Sequence, residues 1–119
     1  MNHLLTMKKY SYLTVKETNA VRLLMTRLKQ ELADQLVQLK LFGSKAKGNF
    51  TTDSDIDILL IVKDRSDAIL DKIAAIHLDI DLKYDPNISL IIFSEFEYEQ
   101  NQRLNTPFIK SIQNESIAL

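Results

Sequence analysis

The chain has 119 residues, 45% of them apolar and 26% charged, which is the make-up of one ordinary globular domain and not of a disordered or fibrous chain. Its net charge of −1 argues against broad, non-specific contact with nucleic acid, and no apolar run approaches the ~20 residues that span a bilayer. There are no cysteines, so disulfides, thiolate zinc sites and a thiol nucleophile are excluded, and the composition suits a reducing cytoplasm.

Met1 to Tyr10 carries Lys8 and Lys9 with no apolar stretch behind them, unlike a signal peptide, and residues 1–12 are expected to form a flexible arm. Thr14-Val15-Lys16-Glu17 is a capping box, and Val21, Leu24, Leu28 and Leu32 recur at helical spacing, which predicts a helix to about Ala33. Leu36 to Phe42 is short and mostly apolar, a strand that ends at Gly43. Ser54 to Val62, rich in isoleucine and leucine, is a second strand. Asp64-Arg65-Ser66-Asp67 then opens a helix whose stripe is Ile69, Ile73, Ile76, Ile80 and Tyr84, stopped by Asp85-Pro86-Asn87. Leu78 and Leu82 lie opposite that stripe; burial by the last helix is expected, and otherwise they offer a small apolar docking surface. Ile88 to Phe93 is a third strand, Ser94-Glu95-Phe96-Glu97 a second capping box leading a helix to about Leu104, and Pro107 opens a last helical turn through Ile112. The order points to an α+β fold, a small mixed β-sheet with helices packed on one face, leaving the other face for a site or a partner.

Chemistry concentrates in residues 43–57. The chain has only two glycines, Gly43 and Gly48, and both fall in this loop, where backbone freedom or close ligand approach is the usual reason. On a strand Asp55 and Asp57 project to the same face, with Cα atoms about 6.5–7 Å apart. Two ionised carboxylates this close repel unless a cation sits between them, and a hard ion such as Mg²⁺ takes oxygen ligands. The plainer alternative is a solvated strand face, but Ile56, Ile58, Leu60 and Val62 on one side and Leu59 and Ile61 on the other make the strand apolar on both faces, hence buried. If Ser44 to Lys47 begin a helical turn, their free N–H groups suit phosphate, and Lys45 and Lys47 either add charge or stand in solvent.

Two lookalikes fail on the residue that does the physical work. Gly43-x₄-Gly48 is followed by Asn49-Phe50 in place of the P-loop lysine and hydroxyl residue, and Asp53-x-Asp55-x-Asp57 has Ile58 where a calcium loop needs its turn glycine. His3 lies in the arm and His77 beside a helix stripe, where a structural role is expected, so no nucleophilic triad is in view.

Leu41-Phe42-Gly43-Ser44, Gly48 and Asp53-Ser54-Asp55-Ile56-Asp57 together resemble the Gly-Ser … Asp-x-Asp signature of the DNA polymerase β nucleotidyltransferase superfamily, in particular its minimal members. The resemblance covers positions 41 to about 62 and implies one minimal nucleotidyltransferase domain over residues 1–119. It implies transfer of a nucleoside monophosphate, AMP from ATP, to a hydroxyl with release of pyrophosphate. Gly43, Ser44, Lys47 and Ser54 are then expected to contact the nucleotide, and Asp55 and Asp57 to be the catalytic pair that holds Mg²⁺. One departure stands out: Ile88-Ser89-Leu90-Ile91 places Ser89 where the superfamily usually has a third acidic residue; Asp79, Asp81 and Asp85 are near in sequence, but Asp79 and Asp81 flank a helix stripe and are not expected to reach the site.

Small members of this family are often paired with a helical HEPN toxin, which the nucleotidyltransferase neutralises as antitoxin by adding AMP. The resemblance therefore implies an enzyme with a protein partner, while composition and charge lead to the expectation of a cytoplasmic protein with no membrane contact and no direct grip on nucleic acid. The alternative is a binding module that keeps nucleotide and metal but masks its partner sterically.

Overall fold

The computed structural model describes residues 12–48 and 55–119. Helix α1 (Val15–Leu32) starts at Thr14, whose hydroxyl accepts from the Glu17 N–H while the Glu17 carboxylate accepts from the Thr14 N–H. This reciprocal cap satisfies two of the donors that a helix start leaves orphaned. A 3-10 turn (Ala33–Gln35) leads into strand β1 (Leu36–Phe42), followed by the short helix α2 (Ser44–Lys47). Then come β2 (Ile56–Val62), α3 (Asp67–Tyr84), β3 (Ile88–Ser94), α4 (Glu95–Leu104), α5 (Pro107–Glu115) and a two-residue strand β4 (Ile117–Ala118). The expected arm lies outside the described residues except for Tyr12.

The sheet has the order β3-β2-β1-β4. β2 runs antiparallel to β1 and parallel to β3, and the β2–α3–β3 crossover makes that parallel pairing possible. β4 adds antiparallel to β1 through Lys40–Ala118 and Leu41–Ile117. The sheet is therefore mixed.

Its two faces carry two cores, divided by strand alternation. Leu39 and Leu41 of β1 and Ile56, Ile58, Leu60 and Val62 of β2 meet the α1 stripe (Val21, Leu24, Leu28, Leu32) and the α3 stripe (Ile69, Ile73, Ile76, Ile80). Phe42, Leu59 and Ile61 point the other way and pack with Ile112, Phe108 and Tyr98 of the C-terminal helices. Phe108 meets Phe42 and Phe93 edge-on, with ring centroids 5.5 and 5.7 Å apart, a favoured aromatic geometry that seats α5. The two long helices thus share one face, as expected, while α4 and α5 close part of the second. Those last helices do not reach Leu78 and Leu82, which are 57% and 78% exposed, so the expected burial is corrected: the second face takes α5, and nothing among the described residues covers this side of α3. No helix among the described residues is long and apolar enough to cross a membrane.

Candidate functional site

β2 is buried on both faces from Ile56 to Val62, except at Asp57, which is half-buried, while Asp55 just before the strand is exposed. The carboxylates therefore stand at the rim of a core strand. Asp57 lies in register between Phe42 on β1 and Ser89 on β3, and shares its face with Leu59 and Ile61. Burial first, and the neighbouring Asp55 charge second, push the Asp57 carboxyl up from its ordinary value. The pair is the arrangement of hard oxygen donors that a divalent cation suits, because one ion offsets both effects at once. A third acidic, histidine or cysteine ligand does not join them among the described residues.

Asp55 is oriented from across the sheet. Asn87 donates from Nδ2 to Asp55 Oδ1 at 2.7 Å, and its carbonyl accepts from the Ile56 N–H at 3.0 Å. Asn87 can do both because it sits in the left-handed region, φ 58°, which asparagine tolerates better than most residues. In the sequence it marks only the stop of a helix; its contact with Asp55 joins residues 32 positions apart and leaves no local signal.

Gly43 closes the other side. Its φ is 75°, and a Cβ there would overlap Asp57 Oδ2 and lie 3.2 Å from Asp57 Cγ. Glycine is required twice over, for the backbone conformation and for the carboxylate packed against it. The next residues form α2, with Ser44 and Lys47 at its first and last positions and the Ala46 N–H bonded to the Gly43 carbonyl at 3.1 Å. The structure thus brings together Gly43, the α2 turn, Asp55 and Asp57; Ser54 lies outside the described residues.

Lys45 departs from both readings offered by the sequence. It is 3% exposed and its Nζ lies 3.2 and 3.3 Å from the two carboxylate oxygens of Glu17 on α1. Gly48, φ 89°, faces Tyr12, whose ring would stand 2.7 Å from a Cβ placed there. His77 is structural, as expected, with Nε2 against the Ile88 carbonyl at 3.0 Å. Asp79 pairs with Arg27 on α1 and Asp81 lies 3.6 Å from His77, so neither joins the site.

The nucleotidyltransferase domain family matches residues 21–119, which includes every strand and the whole loop just described. The chain belongs to that family. Two curated relatives come from Methanocaldococcus jannaschii. "Putative protein adenylyltransferase MJ0604" is 30% identical over 105 residues, covering 88% of this chain and 99% of its own length. "Putative protein adenylyltransferase MJ0141" is 36% identical over 84 residues, 70% of this chain and 78% of its own. Among solved structures, two toxin–antitoxin MntA–HpeT mutants share the fold. One superposes with TM-score 0.50 at 21% identity, over 80% of this chain and 68% of that one. The other gives 0.52 at 17%, over 86% and 70%. Nucleotidyltransferases of this family use a nucleoside triphosphate and a divalent metal, and the oxygen-rich rim around Asp57 fits that chemistry.

Proposed function

We propose that this nucleotidyltransferase transfers AMP from ATP to a hydroxyl of a partner protein in the cytoplasm, with Mg²⁺ held by Asp55 and Asp57, and that the partner is a HEPN-type toxin it neutralises as antitoxin. The observation that carries the reading is the packing of Gly43 against Asp57: a side-chain-free turn lies directly on a half-buried carboxylate. Phosphate and metal site are then adjacent by construction. Both curated relatives are named as protein adenylyltransferases, which supports a protein acceptor. The toxin–antitoxin neighbours share only the fold, and agree with that choice.

In this reading the backbone of Gly43 and the N–H groups of α2 receive the triphosphate, with Ser44, Lys47 and Ser54 alongside. Asp55 is aimed by Asn87 and Asp57 by Gly43. When bound, the divalent ion supplies charge neutralisation at the α-phosphate and the leaving pyrophosphate. The acceptor hydroxyl gives up its proton to water as its oxygen bonds to the α-phosphorus and the bond to pyrophosphate breaks. Ser89, in register with Asp57, favours a second reading in which the protein binds nucleotide but inhibits by masking, since a serine cannot act as general base at neutral pH. Incubation with ATP labelled at the α-phosphate, Mg²⁺ and the genomic neighbour separates the two. Label on the neighbour supports transfer; an inhibited, unlabelled complex supports masking and rejects the enzyme reading.

A further inference from the structure

The pairing of Lys45 bears on how the nucleotide loop is held. A lysine beside a phosphate site invites assignment as a phosphate ligand, yet this one is buried and its charge is met by Glu17, 28 positions earlier, whose side chain is itself only 16% exposed. Glu17 Oε1 also accepts from the Thr14 N–H at 2.9 Å, so one carboxylate closes the cap of α1 and binds the loop lysine. α2 has four residues and cannot hold its own position by helix formation, which is marginal for short segments. Something outside it must do so. Gly43 abuts Asp57 on one flank, and Lys45 is tied to the first turn of α1 on the other. Once desolvated, such a pair is costly to break from one side, because the remaining buried charge loses its counter-charge.

We propose that Lys45 is a positioning residue. Its ion pair with Glu17 fixes the Ser44–Lys47 turn against Asp57, so that nucleotide affinity depends on a helix-cap glutamate that does not itself touch nucleotide. This rests on the reading of the Gly43–Asp57 site as the nucleotide site.

Glu17→Gln isolates the charge, because glutamine at this position preserves the capping box. If Lys45 were a phosphate ligand restrained by Glu17, Glu17→Gln would release it and tighten ATP. If Lys45 positions the turn, the same variant weakens ATP. Calorimetric titration of the whole chain with ATP and Mg²⁺ should show Kd raised about tenfold for Glu17→Gln and for Lys45→Met, with misplacement of a binding group as the cause. The double variant should be no worse than either single, the mark of two residues acting as one unit. Amide hydrogen exchange without nucleotide should show faster exchange at residues 44–48 in Glu17→Gln, while the β2 amides stay protected. Tighter or unchanged ATP in Glu17→Gln with unchanged loop exchange overturns the proposal. Loss of ATP binding in the unsubstituted protein would instead overturn the site reading, while the exchange comparison would still decide whether Glu17 and Lys45 hold the turn.

Discussion

Asp57 is a carboxylate placed where its charge is unwelcome. Burial and Asp55 raise its pKa in the folded chain above the ordinary value of 3.8. Protons are then bound more tightly by the folded than the unfolded state, so the stability linked to this group is complete below that value and is lost as pH rises through the raised one. Asp57→Asn, which keeps the shape and removes the charge, should therefore melt higher than the unsubstituted protein at neutral pH in chelator. The advantage should vanish as pH falls below about 3.8, and a variant that is less stable at neutral pH would contradict this electrostatic account. The same substitution should abolish transfer, as expected where a site is kept at the expense of stability. Gly43 makes the complementary prediction. Gly43→Ala meets both a left-handed backbone and the Asp57 carboxylate, and should lose about 1–2 kcal/mol in denaturant unfolding from the conformation alone. Its ATP affinity should fall at least tenfold by titration; unchanged affinity would put the phosphates elsewhere.

At the scale of elements, most of the fold was legible because period and punctuation agree. Thr14/Glu17 and Ser94/Glu97 both form the reciprocal caps their spacing implies, and β1 occupies Leu36 to Phe42 as read from the sequence. The alternation of Ile56, Ile58, Leu60 and Val62 against Leu59 and Ile61 becomes a strand buried between two cores. What was not legible depends on contacts distant in sequence. β4 is two residues long, too short for any period, and exists only through its pairing with Lys40 and Leu41. The Glu17–Lys45 and Asn87–Asp55 contacts join segments whose local patterns report only a cap and a helix stop. Leu82, on the helix side taken to be covered, is instead in solvent, and the energetic consequence can be measured. Leu82→Glu should change unfolding free energy by no more than about 0.5 kcal/mol, whereas Ile76→Ala, fully buried on the same helix, should cost about 2–5 kcal/mol. Comparable losses for both would mean the α3 face is covered after all.

For the whole molecule, the topology explains why the site lies where it does. The parallel pair β2 and β3 and the antiparallel pair β1 and β2 meet at Asp57, so the start of β2, the end of β1 and the start of β3 converge at one rim of the sheet. Gly43 follows β1, Asp55 precedes β2 and Asn87 precedes β3, so two connections, β1 to β2 and α3 to β3, build the candidate site on a rigid scaffold. The proposed transfer of AMP to a partner protein by the Asp55/Asp57 pair can be read from intact-mass spectrometry of the purified partner after incubation with ATP and Mg²⁺. Whole AMP increments are expected on the partner with the unsubstituted protein and none with Asp57→Asn. An unmodified partner, or equal modification by Asp57→Asn, would contradict it.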